Sequence, residues 1–250
     1  MIYVPFDQMS EPHGRNSSGP FPLTAQVDRS RPLGEQIYRW LREAIVSWRL
    51  SPGDTIPEAL VTERFRVSRM PLREALKRLS DEGLVIIRPQ AGTYVAPVTR
   101  KLWEEGRLIR RALEVQGVLY AAPRITDADL VSLRDLVVQQ RRAVAAGSFE
   151  AFMRHDDQFH AEISGISGFD RLWRIIDGAK AQVDRTRYRA AEKMRRSEYA
   201  CAEHQQIIEA LEKRDPELSA RLMLAHLDAS DAAMIALFGS QESYSGQGAT

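Results

Sequence analysis

The segment RVSRMPLREALKRL, residues 66 to 79, constrains the fold most strongly, because it joins a helical apolar stripe to a dense basic face. Five of its fourteen residues are basic and one is acidic. Leucines at 72, 76 and 79 recur at three- and four-residue steps, which predicts an amphipathic helix with one buried side. Arg69, Arg73 and Lys77 stand four residues apart and share another side, so they should point away from the core together.

The flanking sequence makes this helix the third element of a small domain. A first helix is predicted from the stripe Leu33, Ile37, Leu41, Ala44, Ile45 and Trp48, and it should end before the turn signal at residues 51 to 53. A second helix, residues 57 to 65, should direct Leu60, Val61 and Phe65 to a core. Ser68 is the candidate cap of the third helix, residues 69 to 82, and Gly83 fits its stop. Two β-branched runs, 84 to 88 and 93 to 96, predict a hairpin.

Three helices with a tight turn before the third, followed by a hairpin, form the order of a winged helix-turn-helix. In that fold the third helix enters the DNA major groove, and the hairpin, or wing, lies by the backbone or the minor groove. An arginine can donate two hydrogen bonds to guanine O6 and N7, whereas a lysine lacks that planar fork and suits phosphate. A row of cations can also be a solvated helix face, and the surrounding fold is what favours DNA.

Residues 33 to 95 resemble the DNA-binding domain of the GntR family of bacterial transcription regulators, through EQIYRWLREAIVSWRLSPGDTIPE, FRVSRMPLREALKRLSDEGLVIIR and QAGTYV. The resemblance implies that two arginines read guanines while neighbouring side chains and the wing hold the DNA backbone. The implied DNA-binding set is Ser68, Arg69, Arg73, Lys77, Arg66, Gln90, Gly92 and Thr93. The chain departs from the family at Trp48, where many members have Gly, at Ala59, where some carry an Arg, and at Met70, where Thr is common.

Beyond residue 100 the sequence shows helical periods and no convincing strand. The predicted segments are residues 101 to 122, 126 to 146, 149 to 166, 169 to 194, 197 to 213 and 216 to 238. Their short connections predict an antiparallel bundle. The predicted fold class is therefore mainly α, with an N-terminal winged helix-turn-helix and a C-terminal all-α helical bundle. The predicted boundaries are a flexible arm over 1 to 30, the head over 31 to 98, the bundle over 99 to 240 and a flexible tail over 241 to 250.

Charge and cysteine content limit the partners and the compartment. The net charge is only +1, but residues 31 to 100 hold twelve basic against eight acidic residues, so the basic surplus is local. The single cysteine, Cys201, excludes an internal disulfide. No apolar run reaches the roughly 18 residues that a membrane span needs. These features predict a cytoplasmic protein that does not enter a membrane.

Four of the five histidines lie in the predicted bundle. Asp156 and His160 are four residues apart on one helix face, next to a Phe stripe, while His204 and His226 follow the apolar stripes of two other helices. One such histidine is usually a hydrogen-bonded core residue, but several that converge with a carboxylate suit a transition-metal ion. His155 points off that face and is predicted not to be a ligand.

This second region resembles the FCD effector domain of one branch of the GntR family, through IRRALE, DDQFH, EHQQIIEALEKRD and the His-Leu of the last helix. The resemblance implies that Asp156, His160, His204 and His226 hold a divalent ion, and their donor atoms suit Zn, Ni, Mn or Fe. It also implies that Arg110 faces the pocket and pairs with a small organic acid effector. The alternative for Arg110 is a surface ion pair with Glu114, one turn later.

Together these features predict a homodimeric transcription factor, most often a repressor in such families, that binds a palindromic operator on double-stranded DNA and responds to a carboxylate. Two copies are expected because one recognition helix touches too few bases. A metal-dependent hydrolase would use the same four ligands around a water, but four protein ligands crowd a catalytic zinc and the head would be unexplained. An architectural DNA binder would leave the histidine cluster without a role.

Overall fold

The structure of the protein is a computed structural model, and it describes residues 27 to 190 and 193 to 245. Within these residues it contains nine helices and one two-stranded sheet. The described residues form two compact units, which divide after Trp103. No helix in the described part of the chain is both long and apolar enough to cross a membrane. The mainly helical fold class with a β-hairpin wing is confirmed.

The first unit is built from three helices and the hairpin. The helices are α1 (Leu33–Val46), α2 (Glu58–Phe65) and α3 (Arg69–Asp81), and the strands are β1 (Val85–Arg88) and β2 (Gly92–Val95). The buried side of α3 consists of Leu72, Ala75, Leu76 and Leu79, which is the predicted stripe. In α2 the core residues are Val61 and Phe65. The prediction for Leu60 is wrong, since its side chain is 45% exposed and lies one helical step off the face shared by residues 61 and 65.

Two details of the helix ends differ from the prediction. The first helix ends at Val46, earlier than expected, because Trp48 takes a positive φ of 61°, a conformation that glycine adopts more easily than tryptophan. Ser68 stands at the start of α3 as predicted, but its side chain makes no capping hydrogen bond. Pro71 occupies the third helical position and has no N–H, so one of the two usual partners of a capping hydroxyl is missing.

The wing is an antiparallel hairpin with the register Val85↔Val95, Ile86↔Tyr94, Ile87↔Thr93 and Arg88↔Gly92. Its turn contains Gln90 with φ 61° and Gly92 with φ 109°. An isolated bridge joins Thr55 to Tyr94, so the segment before α2 extends the sheet by one pair. This bridge fixes the wing to the segment that leads into α2.

The second unit contains the six predicted helices, with ends shifted by a few residues. They are α4 (Arg100–Ala121), α5 (Asp127–Ala145), α6 (Phe149–Ile166), α7 (Leu172–Arg189), α8 (Lys193–Glu212) and α9 (Pro216–Ser245). Thr126 and Asp129 form a capping box at the start of α5, and Ser148 caps α6. A core cluster joins α4, α5, α6, α8 and α9 through residues such as Val118, Leu133 and Phe159.

The predicted flexible ends need two corrections. Residues 1 to 26 of the predicted arm lie outside the described residues, but Asp28 is held, since its main chain exchanges hydrogen bonds with the side chain of Gln36 at 2.9 and 2.6 Å. At the other end α9 continues to Ser245, through part of the predicted tail, while residues 246 to 250 lie outside the described part. Extending an existing helix costs little per residue when no proline interrupts it, which explains the longer helix.

Candidate DNA-binding face and candidate metal centre

The basic side of α3 is exposed. Arg69, Arg73 and Lys77 are all solvent-exposed, and they form no ion pair within the described residues. Ser68 and Arg66 are exposed beside them, and Arg66 has the left-handed conformation that ends α2. The first turn of α3 also presents main-chain N–H groups, which suit a phosphate oxygen. The surface therefore offers cations and N–H donors on one side of one helix.

A network on the opposite side holds α3 in place. Arg78 lies 3.5 Å over the ring of Tyr38 and pairs with Glu35 at 2.6 Å, so it ties α3 to α1. The Tyr38 hydroxyl donates to Glu82 at 2.6 Å, just past the end of α3. Cations on the two sides of α3 therefore have different roles, because Arg78 is bound within the head while Arg69, Arg73 and Lys77 are available to a partner.

The wing residues do not all share the predicted exposure. Gln90 is exposed at the tip and Gly92 is half-buried. The side chain of Thr93, a residue that the resemblance places in the DNA-binding set, does not face solvent, since Thr93 is 2% exposed and its hydroxyl donates to Glu58 at 2.8 Å. Thr93 alternates with the outward residues of β2, as the period of a strand requires, so its side chain stabilises the wing from inside.

The four predicted metal ligands come together in the second unit. Asp156 and His160 lie on α6, His204 on α8 and His226 on α9, and all four are buried. One ligand atom from each residue lies within 4.8 Å of the others. His155 is not part of this cluster, and its ring contacts Gln158 at 2.9 Å. Helices far apart in sequence thus present one carboxylate and three imidazoles to a common point.

Each imidazole has an acceptor at its Nδ1 atom. His226 Nδ1 contacts Glu203 Oε2 at 2.7 Å, and His160 Nδ1 lies 2.5 Å from Glu114 Oε2. His204 Nδ1 contacts the amide oxygen of Gln140 at 2.8 Å. The amide nitrogen of Gln140 donates to the main-chain oxygen of His155, which fixes the orientation of the amide. The acceptors beside His204 and His226 favour the Nδ1–H tautomer, in which Nε2 carries a lone pair. The contact of His160 with Glu114 is close but is not an aligned hydrogen bond.

The Nε2 atoms of His204 and His226 face each other, and this supports a cation bound between them. The Nε2 atoms of His204 and His226 are 3.3 Å apart, and in this tautomer neither carries a proton to place between them. Neither carboxylate oxygen of Asp156 has an aligned hydrogen-bond donor, although the residue is fully buried. Buried acceptors without donors are costly, and a metal ion would satisfy all of them. One carboxylate and three imidazoles suit Zn²⁺, Ni²⁺ or Mn²⁺.

Two arginines flank the cluster. Arg110 is 4% exposed and donates from Nε to Glu114 at 2.5 Å, while its NH2 lies 3.4 Å from His160 Nε2. The ion pair between Arg110 and Glu114 therefore exists, but it is buried and not on the surface. Arg187, on α7, lies 2.9 Å from Asp156 Oδ2. Both guanidinium groups therefore lie beside candidate ligands of the cluster.

Burial and these charges shift the pKa values of the cluster. Burial lowers the pKa of His226 to about 4 and holds the pKa of His204 well below its usual value, so both rings are neutral at pH 7. Burial alone would raise the pKa of Asp156, but Arg187 and the imidazoles outweigh it and hold that pKa well below the usual range. Neutral imidazoles and an ionised carboxylate are the forms that bind metal.

Sequence analysis did not identify the residues that orient the ligands as site residues: Glu114, Gln140, Arg187 and Glu203. Glu203 directly precedes the predicted ligand His204, and Glu114 follows Arg110 by one helical turn. Their positions in the sequence could therefore have indicated a role at the site. No local pattern indicated Gln140 and Arg187, because their neighbours are set by packing of α5 and α7 against α6 and α8. The sequence pattern thus identified the candidate ligands but not the residues that surround them.

Family models match both units. The model described as bacterial regulatory proteins, gntR family, matches residues 33 to 95, and the FCD domain model matches residues 107 to 229. The HTH-type transcriptional repressor RspR of Escherichia coli K12 is 37% identical over 205 residues, which cover 82% of this chain and 90% of that protein.

Solved structures share the fold. McbR/YncC of E. coli superposes with a TM-score of 0.73 at 22% identity, covering 82% of this chain and 98% of that one. A protein described as a GntR transcriptional regulator from Rhodococcus sp. RHA1 gives a TM-score of 0.67 at 21% identity, covering 80% and 97%. At these identities the likeness supports the fold alone.

Proposed function

The chain belongs to the GntR family of bacterial regulatory proteins with an FCD domain, and we propose that it is a repressor whose operator binding is controlled by a carboxylate held at a divalent metal ion. Its relatives regulate transcription, and it is a DNA-binding regulator rather than an enzyme. The finer parts of the proposal concern the residues, the metal, the effector and the assembly. We also propose that the protein acts in the cytoplasm, where bacterial DNA lies.

The exposed cations of α3 are the observation that carries the DNA part. Arg69 and Arg73 are proposed to read guanines in the major groove, while Lys77 and Ser68 hold phosphates. Arg66, Gln90 and Gly92 would contact the backbone beside them. Thr93 is left out of this set, because its side chain points into the head.

A homodimer is proposed because one helix of this length reads only a few base pairs. Specific regulators of this fold reach useful affinity by placing two copies on half-sites about one helical turn apart. The operator should therefore be an inverted repeat. In-vitro selection from random duplexes with the purified protein tests this, and enrichment of sequences without two-fold symmetry would contradict it.

The metal is proposed to be bound by Asp156 Oδ1 and the Nε2 atoms of the three histidines. A six-coordinate ion with four protein ligands keeps two positions for other donors, and it would supply Lewis-acid binding of a carboxylate. Arg110 is proposed to pair with that carboxylate from the side of His160. A small organic acid would then bind through the metal and the guanidinium together.

Thermal-shift screening of small carboxylates, with and without added Zn²⁺ or Ni²⁺, tests the effector part. We expect a carboxylate to raise the melting temperature more in the presence of the metal than in its absence. The same compound should change the affinity for the selected operator, because an effector acts only through different affinities for two states. A carboxylate that stabilises the metal-free protein equally would contradict the proposed site.

A further inference from the structure

Five charged side chains of alternating sign run between α6 and α7 beside the histidine cluster. Asp156 Oδ2 lies 2.9 Å from Arg187, and Arg187 lies 3.7 Å from Asp184. Asp184 pairs with Lys180, whose Nζ also donates to Asp157 at 2.8 Å. The row begins and ends on consecutive residues of α6 and passes through α7 between them. Within this row, Asp184 helps to hold Arg187 in its position beside Asp156.

The contact of Arg187 with Asp156 is a charge pair and not an aligned hydrogen bond. Its Nη1 atom and Oδ2 are 2.9 Å apart, yet neither atom makes a hydrogen bond of good geometry. Asp156 is completely buried, and the Arg187 side chain is 11% exposed. The guanidinium therefore neutralises the carboxylate and covers one of its oxygens. The other oxygen, Oδ1, lies 3.7 Å from His204 Nε2, on the side of the imidazoles.

We propose that Arg187 is a positioning residue that limits Asp156 to one ligand oxygen and keeps the binding of divalent ions weaker than the donor set alone would give. This inference rests on the proposed metal site. Covering Oδ2 prevents a two-oxygen mode and so preserves a coordination position for the effector. The guanidinium charge also repels a divalent ion in a buried site, where screening by water is weak.

The sign of the effect separates Arg187 from the other groups around the ligands. Gln140 and Glu203 accept from imidazole Nδ1 atoms, and loss of such a partner typically lowers metal affinity by about 10- to 100-fold. Loss of Arg187 should act in the opposite direction, since it removes a competing cation and uncovers an oxygen. A merely structural residue would not tighten binding when removed.

The test compares Arg187→Met with wild-type protein in Co²⁺ affinity, measured by competition with a chelating dye at fixed pH. We expect Arg187→Met to bind Co²⁺ about 10-fold more tightly or better, on the scale of other changes around metal ligands. The visible spectrum of bound Co²⁺ should change, because a second Asp156 oxygen would replace one of the other donors at the two positions that the protein ligands leave. Arg187→Lys retains the charge and should stay near wild type. Arg189→Met, on the same helix but outside the pair with Asp156, is the matched control.

The possible outcomes separate the role of Arg187 from the existence of the metal site. Equal or weaker Co²⁺ binding by Arg187→Met, with an unchanged spectrum, overturns the role of Arg187 but leaves the metal site intact. Failure of the wild-type protein to bind Co²⁺ stoichiometrically overturns the metal site itself, and this inference with it. Should Arg187→Met not fold, Asp184→Asn gives a second test. Removing that carboxylate should weaken Co²⁺ binding, and an unchanged affinity would contradict the proposed role of Arg187.

Discussion

The arginines of the two candidate sites lie in opposite environments. Arg69 and Arg73 are exposed on α3 and form no ion pair within the described residues. Arg110 and Arg187 are enclosed in the bundle and paired with Glu114 and Asp156. Exposed cations cost little to keep and are available to a polyanion, whereas a buried cation must be paired in the folded protein.

The difference predicts two kinds of response. Binding by exposed cations depends on counterion release and should fall steeply with salt. The buried cluster is shielded from solvent, so its affinity should depend on ligand geometry and protonation instead. The experiments below test each side of this contrast, beginning with the largest expected change.

His204→Ala tests the buried side most severely. This substitution removes one of four ligands, and it also leaves Gln140 without the ring that it contacts at 2.8 Å. We expect loss of stoichiometric metal, beyond the about 10- to 100-fold that removal of an orienting partner costs. Elemental analysis of the dialysed protein measures this. His155→Ala, on α6 but outside the cluster, should retain full metal, and full occupancy in His204→Ala would refute the site.

Acid should destabilise the metal-free protein through the same histidines. Burial holds the pKa of His226 near 4, against about 6.5 in an unfolded chain, so the unfolded state takes up the proton first as pH falls. Stability should be constant above about pH 6.5 and fall progressively toward pH 4. Asp156, with its lowered pKa, adds a further loss below about pH 4. Melting temperatures of chelator-treated protein measure this, and a flat profile between pH 7 and 4.5 would contradict it.

How much the sequence could predict also differs between the two regions. In the head the cations of α3 and the stripe beneath them follow from helical periodicity, and the structure bears out both the stripe and the exposure. The burial of the Thr93 side chain does not follow from the sequence, because the side that a wing residue faces depends on strand register, which the turn sets. The missing cap at Ser68 could have been foreseen from Pro71.

In the bundle the ligands could be predicted, but their surroundings could not. Asp156 and His160 share a helix face by spacing, whereas Gln140 and Arg187 reach the cluster only through packing of helices that no local pattern specifies. The buried state of Arg110 was also not evident, since an Arg and a Glu four residues apart usually form an exposed pair. Tertiary packing, not propensity, decided these cases.

Arg73→Ala tests the exposed side for base reading. Arg73 lies mid-face on α3 between Arg69 and Lys77, and a bidentate contact to guanine is worth about 1 to 3 kcal/mol. We expect weaker binding to the selected operator and relaxed preference at one position in each half-site. Repeating the in-vitro selection with the variant measures both. An unchanged sequence profile would show that Arg73 does not read a base.

Lys77→Ala should give the smallest effect, and its pattern distinguishes a phosphate contact from a base contact. A lysine on phosphate contributes charge without sequence information, so its loss should weaken operator and scrambled duplexes by the same factor. The slope of log affinity against log salt should decrease by about one, because one fewer counterion is released. Gel-shift titrations of both duplexes at several salt concentrations measure these quantities. A loss confined to the operator would assign Lys77 to a base, and then all three exposed cations of α3 would read sequence while Ser68, Arg66 and the wing held the backbone.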